Sequence, residues 1–163
     1  MDAGQPHGER ARVRLPDADE ALEAALWALR RWAELVGVDA IRVIGPLAGP
    51  VAALRTCALL GLRAATSDVG AGRDALDEAG LTYRISARAV TARGDTSFDL
   101  QPAHEFDRAL LVLYDPPDLT LVEVWRLDRE AVLAHADVDR DRLELRWPAS
   151  RQYAKLQYAR DIA

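Results

Sequence analysis

The stretch "FDRALLVLYD", Phe106 to Asp115, runs from Ala109 to Leu113 without a polar residue. A strand shows alternate side chains to opposite faces, so this run is apolar on both. An apolar run of strand length reads as a central strand covered on both sides. Pro116-Pro117 makes a turn, and "LTLVEVWRL", Leu119 to Leu127, alternates and follows as a hairpin partner. Upstream, "LTYRISARAV", Leu81 to Val90, reads as a third strand, with Tyr83, Ile85 and Val90 as its β-forming residues. Alternation places Arg84, Ser86 and Arg88 together on one face of it, opposite Tyr83 and Ile85. The three strands are expected to share one sheet.

Helical periodicity surrounds this sheet. Asp17 and Glu20 form a capping-box pattern. Leu22, Leu26, Leu29, Ala33 and Val36 then recur at helical spacing until Gly37. "AIRVIG", Ala40 to Gly45, reads as a short strand or extended connection. A second helix is expected from about 49 to 60, with Pro50 in its first turn and Gly61 after its end. Residues 62–80 read as a Gly/Asp loop with a short strand near Arg73 to Leu76, and "TARGDTSFDLQPAHE" as a connecting loop. Asp128 caps a short helix reaching about His135, "DRLELRWP" is a further strand or extended segment, and Ser150 caps a C-terminal helix. The expected organisation is α/β: a disordered segment over 1–15, one domain over 16–148 and a helical tail over 149–163.

Charge and composition exclude several functions. A net charge of −5 provides no global attraction to nucleic acid or acidic membrane, leaving a local arginine patch as the route to phosphate. Lys155 is the sole lysine, so amine chemistry has almost no candidates. Cys57 is the sole cysteine, sits on an apolar helical pattern and reads as a buried small hydrophobe; no disulfide framework or thiolate zinc cluster can form within one chain. The N-terminus lacks a signal-peptide core, and no apolar run reaches the roughly 18 residues of a membrane span, so a cytoplasmic protein is expected, with no membrane partner.

Residues of about 45 to 136 resemble small restriction-endonuclease-like proteins of the PD-(D/E)xK superfamily. The resemblance rests on a helix opened by Gly49 and ending "ALLGL", then "GRDALDEAGLTYRISAR", then "FDRALLVLYDPPDLTLVEVWRLDREAVLAHA" as strand, hairpin, strand and helix. It implies a central mixed sheet flanked by helices. In such proteins the helix carries a Glu, an Asp precedes the hairpin, and the following strand carries an acid or amide and then a lysine. Here the Asp matches Asp74. The acid position falls on Arg84 and the lysine on Ser86, while the helical Glu falls near Pro50 or Ala53, with no acid anywhere from Ile44 to Ser67.

The chemistry needs those residues. Mg²⁺ takes oxygen ligands and yields its waters reluctantly, so Asp74 alone is a poor site. Arg84 puts a permanent cation where the ion would sit; at ~4 Å and an effective dielectric of ~20 that costs about 4 kcal/mol per unit charge. Ser86 cannot supply a lysine's charge near a developing oxyanion. The resemblance therefore implies a pseudoenzyme: a degenerate nuclease-like domain acting as a binding or assembly subunit in DNA handling or defence, with no cofactor. Asp74 and Arg84 are expected to pair, in a cleft too closed for a metal. The alternatives are an active Mg²⁺-dependent nuclease using Asp74 with Asp77, Glu78 or Asp99, and a homo-oligomeric scaffold with no nucleic-acid role.

Arg84, Arg88, Arg151 and Lys155 are the candidate phosphate-binding residues. "RQYAKLQYAR", Arg151 to Arg160, is the one basic and aromatic stretch, and docking onto its own domain or onto a second subunit of a homodimer is its plainer use. "IGPLAGPVAALRT" lacks the endings of a phosphate loop or a dinucleotide fingerprint and reads as a turn and helix start. "HEFD", His104 to Asp107, reads as a solvated loop, and Ser67-Asp68 with His104 or His135 lacks a nucleophile elbow. "ADVDRDRLELR" lacks the glycine and closing glutamate of a calcium loop. The four tryptophans read as core or interface anchors.

Overall fold

The apolar run is the middle of the molecule. In the computed structural model, which describes residues 15–65, 74–91, 93–100, 106–116, 118–139 and 142–160, β5 (Arg108–Asp115) has Ala109 to Val112 fully buried. Leu110 and Val112 point to one face and pack with Tyr83, Ile85, Ala52 and Cys57. Ala109, Leu111 and Leu113 point to the other and pack with Phe98, Leu145 and Trp147.

The chain is α/β. Its order is α1 (Leu15–Val36), α2 (Ala40–Leu60), β1 (Arg63–Ala64), β2 (Ala75–Leu76), β3 (Thr82–Ala89), β4 (Thr96–Leu100), β5, β6 (Thr120–Asp128), α3 (Arg129–His135), β7 (Asp137–Asp139), β8 (Arg142–Trp147), a 3₁₀ turn (Ala149–Tyr153) and β9 (Lys155–Ala159). The main sheet is mixed, in the order β1-β2-β3-β5-β6-β9, with β3 parallel to β5 and the other pairs antiparallel. A second antiparallel sheet, β4-β8-β7, covers one face together with α3. Helix α2 covers the other face, and α1 packs on α2 through Leu26, Ile44, Ala48 and Val51. The three expected strands do share this sheet. The helix expected from 17 to 36 and the short helix after Asp128 are present.

Three readings change. "AIRVIG" is helical: α2 begins at Ala40, where the Asp39 side chain accepts from the Ile41 N–H at 3.0 Å, and it runs through Pro46 and Pro50 to Gly61, whose φ is +65°. Proline disfavours a helix interior, but burial of Ile44 and Ala48 against Leu26 outweighs the lost bonds. Contrary to the expectation that no apolar run reaches a membrane span, Ala40–Leu60 is long and apolar enough to cross a membrane by length and composition. Residues 96–100, expected as loop, form β4, because Phe98 and Leu100 fill the space under Trp147. The expected C-terminal helix is a 3₁₀ turn followed by β9, an edge strand on β6; pairing with β6 satisfies its backbone, and Tyr158 packs over the sheet. Of the N-terminal segment expected over 1–15, residues 1–14 lie outside the described residues and Leu15 begins α1.

Candidate functional site

Strand β2 is two residues long, so it covers only the start of β3. Beyond Tyr83 the outer edge of β3 needs another partner, and Asp74 provides one. Its N–H donates to the Tyr83 carbonyl at 2.8 Å, and its Oδ2 accepts from the Ile85 N–H at 2.7 Å. The Arg84 guanidinium reaches across to the same carboxylate, with Nη1 at 3.0 Å from Oδ1 and 3.2 Å from Oδ2. Asp74 thus ends the ladder and fixes Arg84 at once.

Past this pair the edge opens into a cleft of about 520 Å³. One wall is α2, through Gly49, Pro50 and Ala53. The floor is β3, with Arg84, Ser86 and Arg88, and the far side carries Asp99 from β4. Ser86 is buried. Arg88 donates to carbonyl oxygens, from Nε to Ser97 at 2.9 Å and from Nη1 to Ala87 at 3.1 Å. Asp99 pairs with Arg142 of β8, while its Oδ1 is buried without a partner, as is Arg84 Nε. Behind the wall, burial raises the Cys57 thiol pKa to about 11, and the nearby Asp74 charge adds to the effect.

The cleft brings together the residues that the resemblance singled out: Asp74, Arg84, Ser86 and the positions of the absent helical acid, Pro50 and Ala53. The Asp74–Arg84 ion pair forms as expected. Steric closure does not occur. The cleft is open, and what occupies the carboxylate is a guanidinium and a backbone N–H. Both oxygens of Asp74 are engaged by Arg84 and the Ile85 N–H, and the α2 wall of the cleft carries no acid. Among the described residues no three His, Cys, Asp or Glu side chains gather closely enough to hold a metal.

Other candidates disperse. Arg151 stacks over the Trp125 ring at 4.6 Å and pairs with Glu123 at 3.4 Å, and Lys155 starts β9. That edge lies three strand spacings from β3, roughly 14 Å, so the four basic candidates are two separate pairs. Asp77 accepts from the Leu81 N–H and the Tyr83 hydroxyl, at 2.9 and 3.1 Å, and holds the β2–β3 turn. Glu78 lies beside Asp77 outside the cleft. Of the three alternative acids only Asp99 shares the cleft with Asp74. His135 stacks on Tyr153 at 3.4 Å. Ser67, Asp68, His104, Glu105, Arg140 and Asp141 lie outside the described residues. Arg142 was missed; the alternation in "TSFDL" and "RLELR" was its available signal, since it sets Asp99 and Arg142 on polar faces of neighbouring strands. No protein-family model and no curated protein sequence matches the chain.

Proposed function

We propose that this chain is a catalytically degenerate, restriction-endonuclease-like domain that works as a binding or assembly subunit in the cytoplasm, in DNA handling or defence against foreign DNA. The observation that carries this reading is the engagement of Asp74. Its carboxylate accepts from Arg84 and from the Ile85 N–H, so the one acid in the expected metal position already serves the fold. Apolar α2 residues face it where a second acid would stand. Arg88, bonded to carbonyl oxygens, is the cation in the cleft best placed to meet a phosphate.

The runner-up is a nuclease using Asp74 with Asp99, favoured by their shared cleft and by the unpartnered Oδ1 of Asp99. The purified protein is expected to leave plasmid and linear DNA intact with Mg²⁺ or Mn²⁺ and to show no Mn²⁺ binding heat. Metal-dependent cleavage abolished by both Asp74→Ala and Asp99→Ala would establish the runner-up.

A further inference from the structure

Helix α1 carries two apolar stripes. Leu22, Leu26, Leu29 and Ala33 face α2 and the sheet. A second stripe, Ala21, Ala25, Ala28, Trp32 and Leu35, follows spacings of four, three, four and three, the seam of a coiled-coil helix. Every member is exposed, Trp32 at 53% and Leu35 at 71%. Trp32 and Leu35 thus stand in water beside three exposed alanines, a contiguous apolar face of the kind that marks an interaction surface.

The order of sizes along the stripe identifies the partner. It is small at the N-terminal end and large at the C-terminal end. Parallel pairing with itself would set tryptophan against tryptophan and leave a gap between alanines. Antiparallel pairing about Ala28 matches residues equidistant from it, so Trp32 lies over the partner's Ala24 and Ala25, and Leu35 over the partner's Ala21. Large against small at each level gives even packing and a self-complementary two-fold interface. We propose that α1 pairs antiparallel with α1 of a second copy of this chain about a two-fold axis at Ala28, making a dimer with a four-helix layer at its centre. The proposal is independent of the nuclease-like reading of the cleft.

Sedimentation of the full chain tests it. A concentration-dependent dimer is expected, weakened about 30-fold or more by Trp32→Glu, as for a central interface aromatic. Trp27→Glu, which alters a still more exposed tryptophan off the stripe, is expected to leave the dimer intact. Ala28→Cys is expected to give a disulfide-linked dimer on mild oxidation, while Glu34→Cys does not. A monomer at 100 µM (on the order of a weak transient affinity), a dimer indifferent to Trp32→Glu, or a dimer without the Ala28→Cys cross-link would overturn it. A monomer that floats with phospholipid vesicles would overturn it too and assign the same face to a membrane.

Discussion

The two faces of the main sheet are covered to different degrees. Under β4, β8 and α3 the space is filled by large rings: Phe98 is fully buried, meets Trp147 edge-on at 5.8 Å, and Trp147 meets Trp125 at 5.4 Å. On the other face α2 and then α1 form two helical layers, and the outermost layer still presents Trp27, Trp32 and Leu35 to solvent. One side fills the space beneath its cover with large rings, and the other ends in a helix whose outer stripe faces water. A sheet that closes its second face with strands can fill that space with large rings, whereas a helix of half-apolar circumference buries only the stripe its neighbour reaches.

The sharpest break in that comparison comes from the closed face. Phe98→Ala is expected to destabilise by about 4 kcal/mol, since a fully buried ring leaves a cavity the sheets cannot collapse around. Trp32→Glu, equally drastic in chemistry, is expected to change the stability of the dilute chain by no more than about 0.5 kcal/mol. Urea melts measure both, and equal losses would mean that α1 is packed as tightly as β4.

A smaller effect is expected at the boundary between the faces, where Asp74 joins the open edge of β3. Asp74→Ala removes the partner of the Ile85 N–H and strands the half-buried Arg84 charge, so a loss of about 2 kcal/mol is expected. Arg84→Leu in the same chain should restore part of it. A double-mutant cycle reads the coupling, and simple additivity would mean that the pair is not coupled.

A pH dependence belongs to Cys57, beneath the helical cover. Burial favours the neutral thiol, so its folded pKa, about 11, lies above the ordinary 9.0. The associated stability is complete below about pH 9 and is lost as pH rises toward 11. Wild-type melts should therefore lose stability across that window, and Cys57→Ala should flatten the slope. An unchanged slope would assign it to other groups.

Elements whose signal is local were legible in the residues. The unbroken run in β5 required cover on both faces. The alternation in β3 set Arg84, Ser86 and Arg88 on one side, and the periodicity of α1 marked its inner stripe. Asp74 and Arg84 could be paired because a short hairpin joins them. Elements whose identity depends on a distant partner were not legible. Residues 40–45 carry Ile and Val, which suit a strand or a buried helix equally, and Leu26 on α1 decides between them. The "KLQYA" stretch fits one turn of helix as well as it fits the edge of β6.

By itself the sequence determined that the chain is α/β, that Arg84, Ser86 and Arg88 line one face of a strand, and that no acid lies on residues 40–60. Only the tertiary structure decided that the cleft stays open beside the ion pair, that Asp99 joins it from a second sheet, and that the outer stripe of α1 is uncovered. Side-chain identity limits what chemistry a position can perform. Which positions meet, and which apolar surface remains in water, depends on how far each packed layer extends, and no local pattern records that extent.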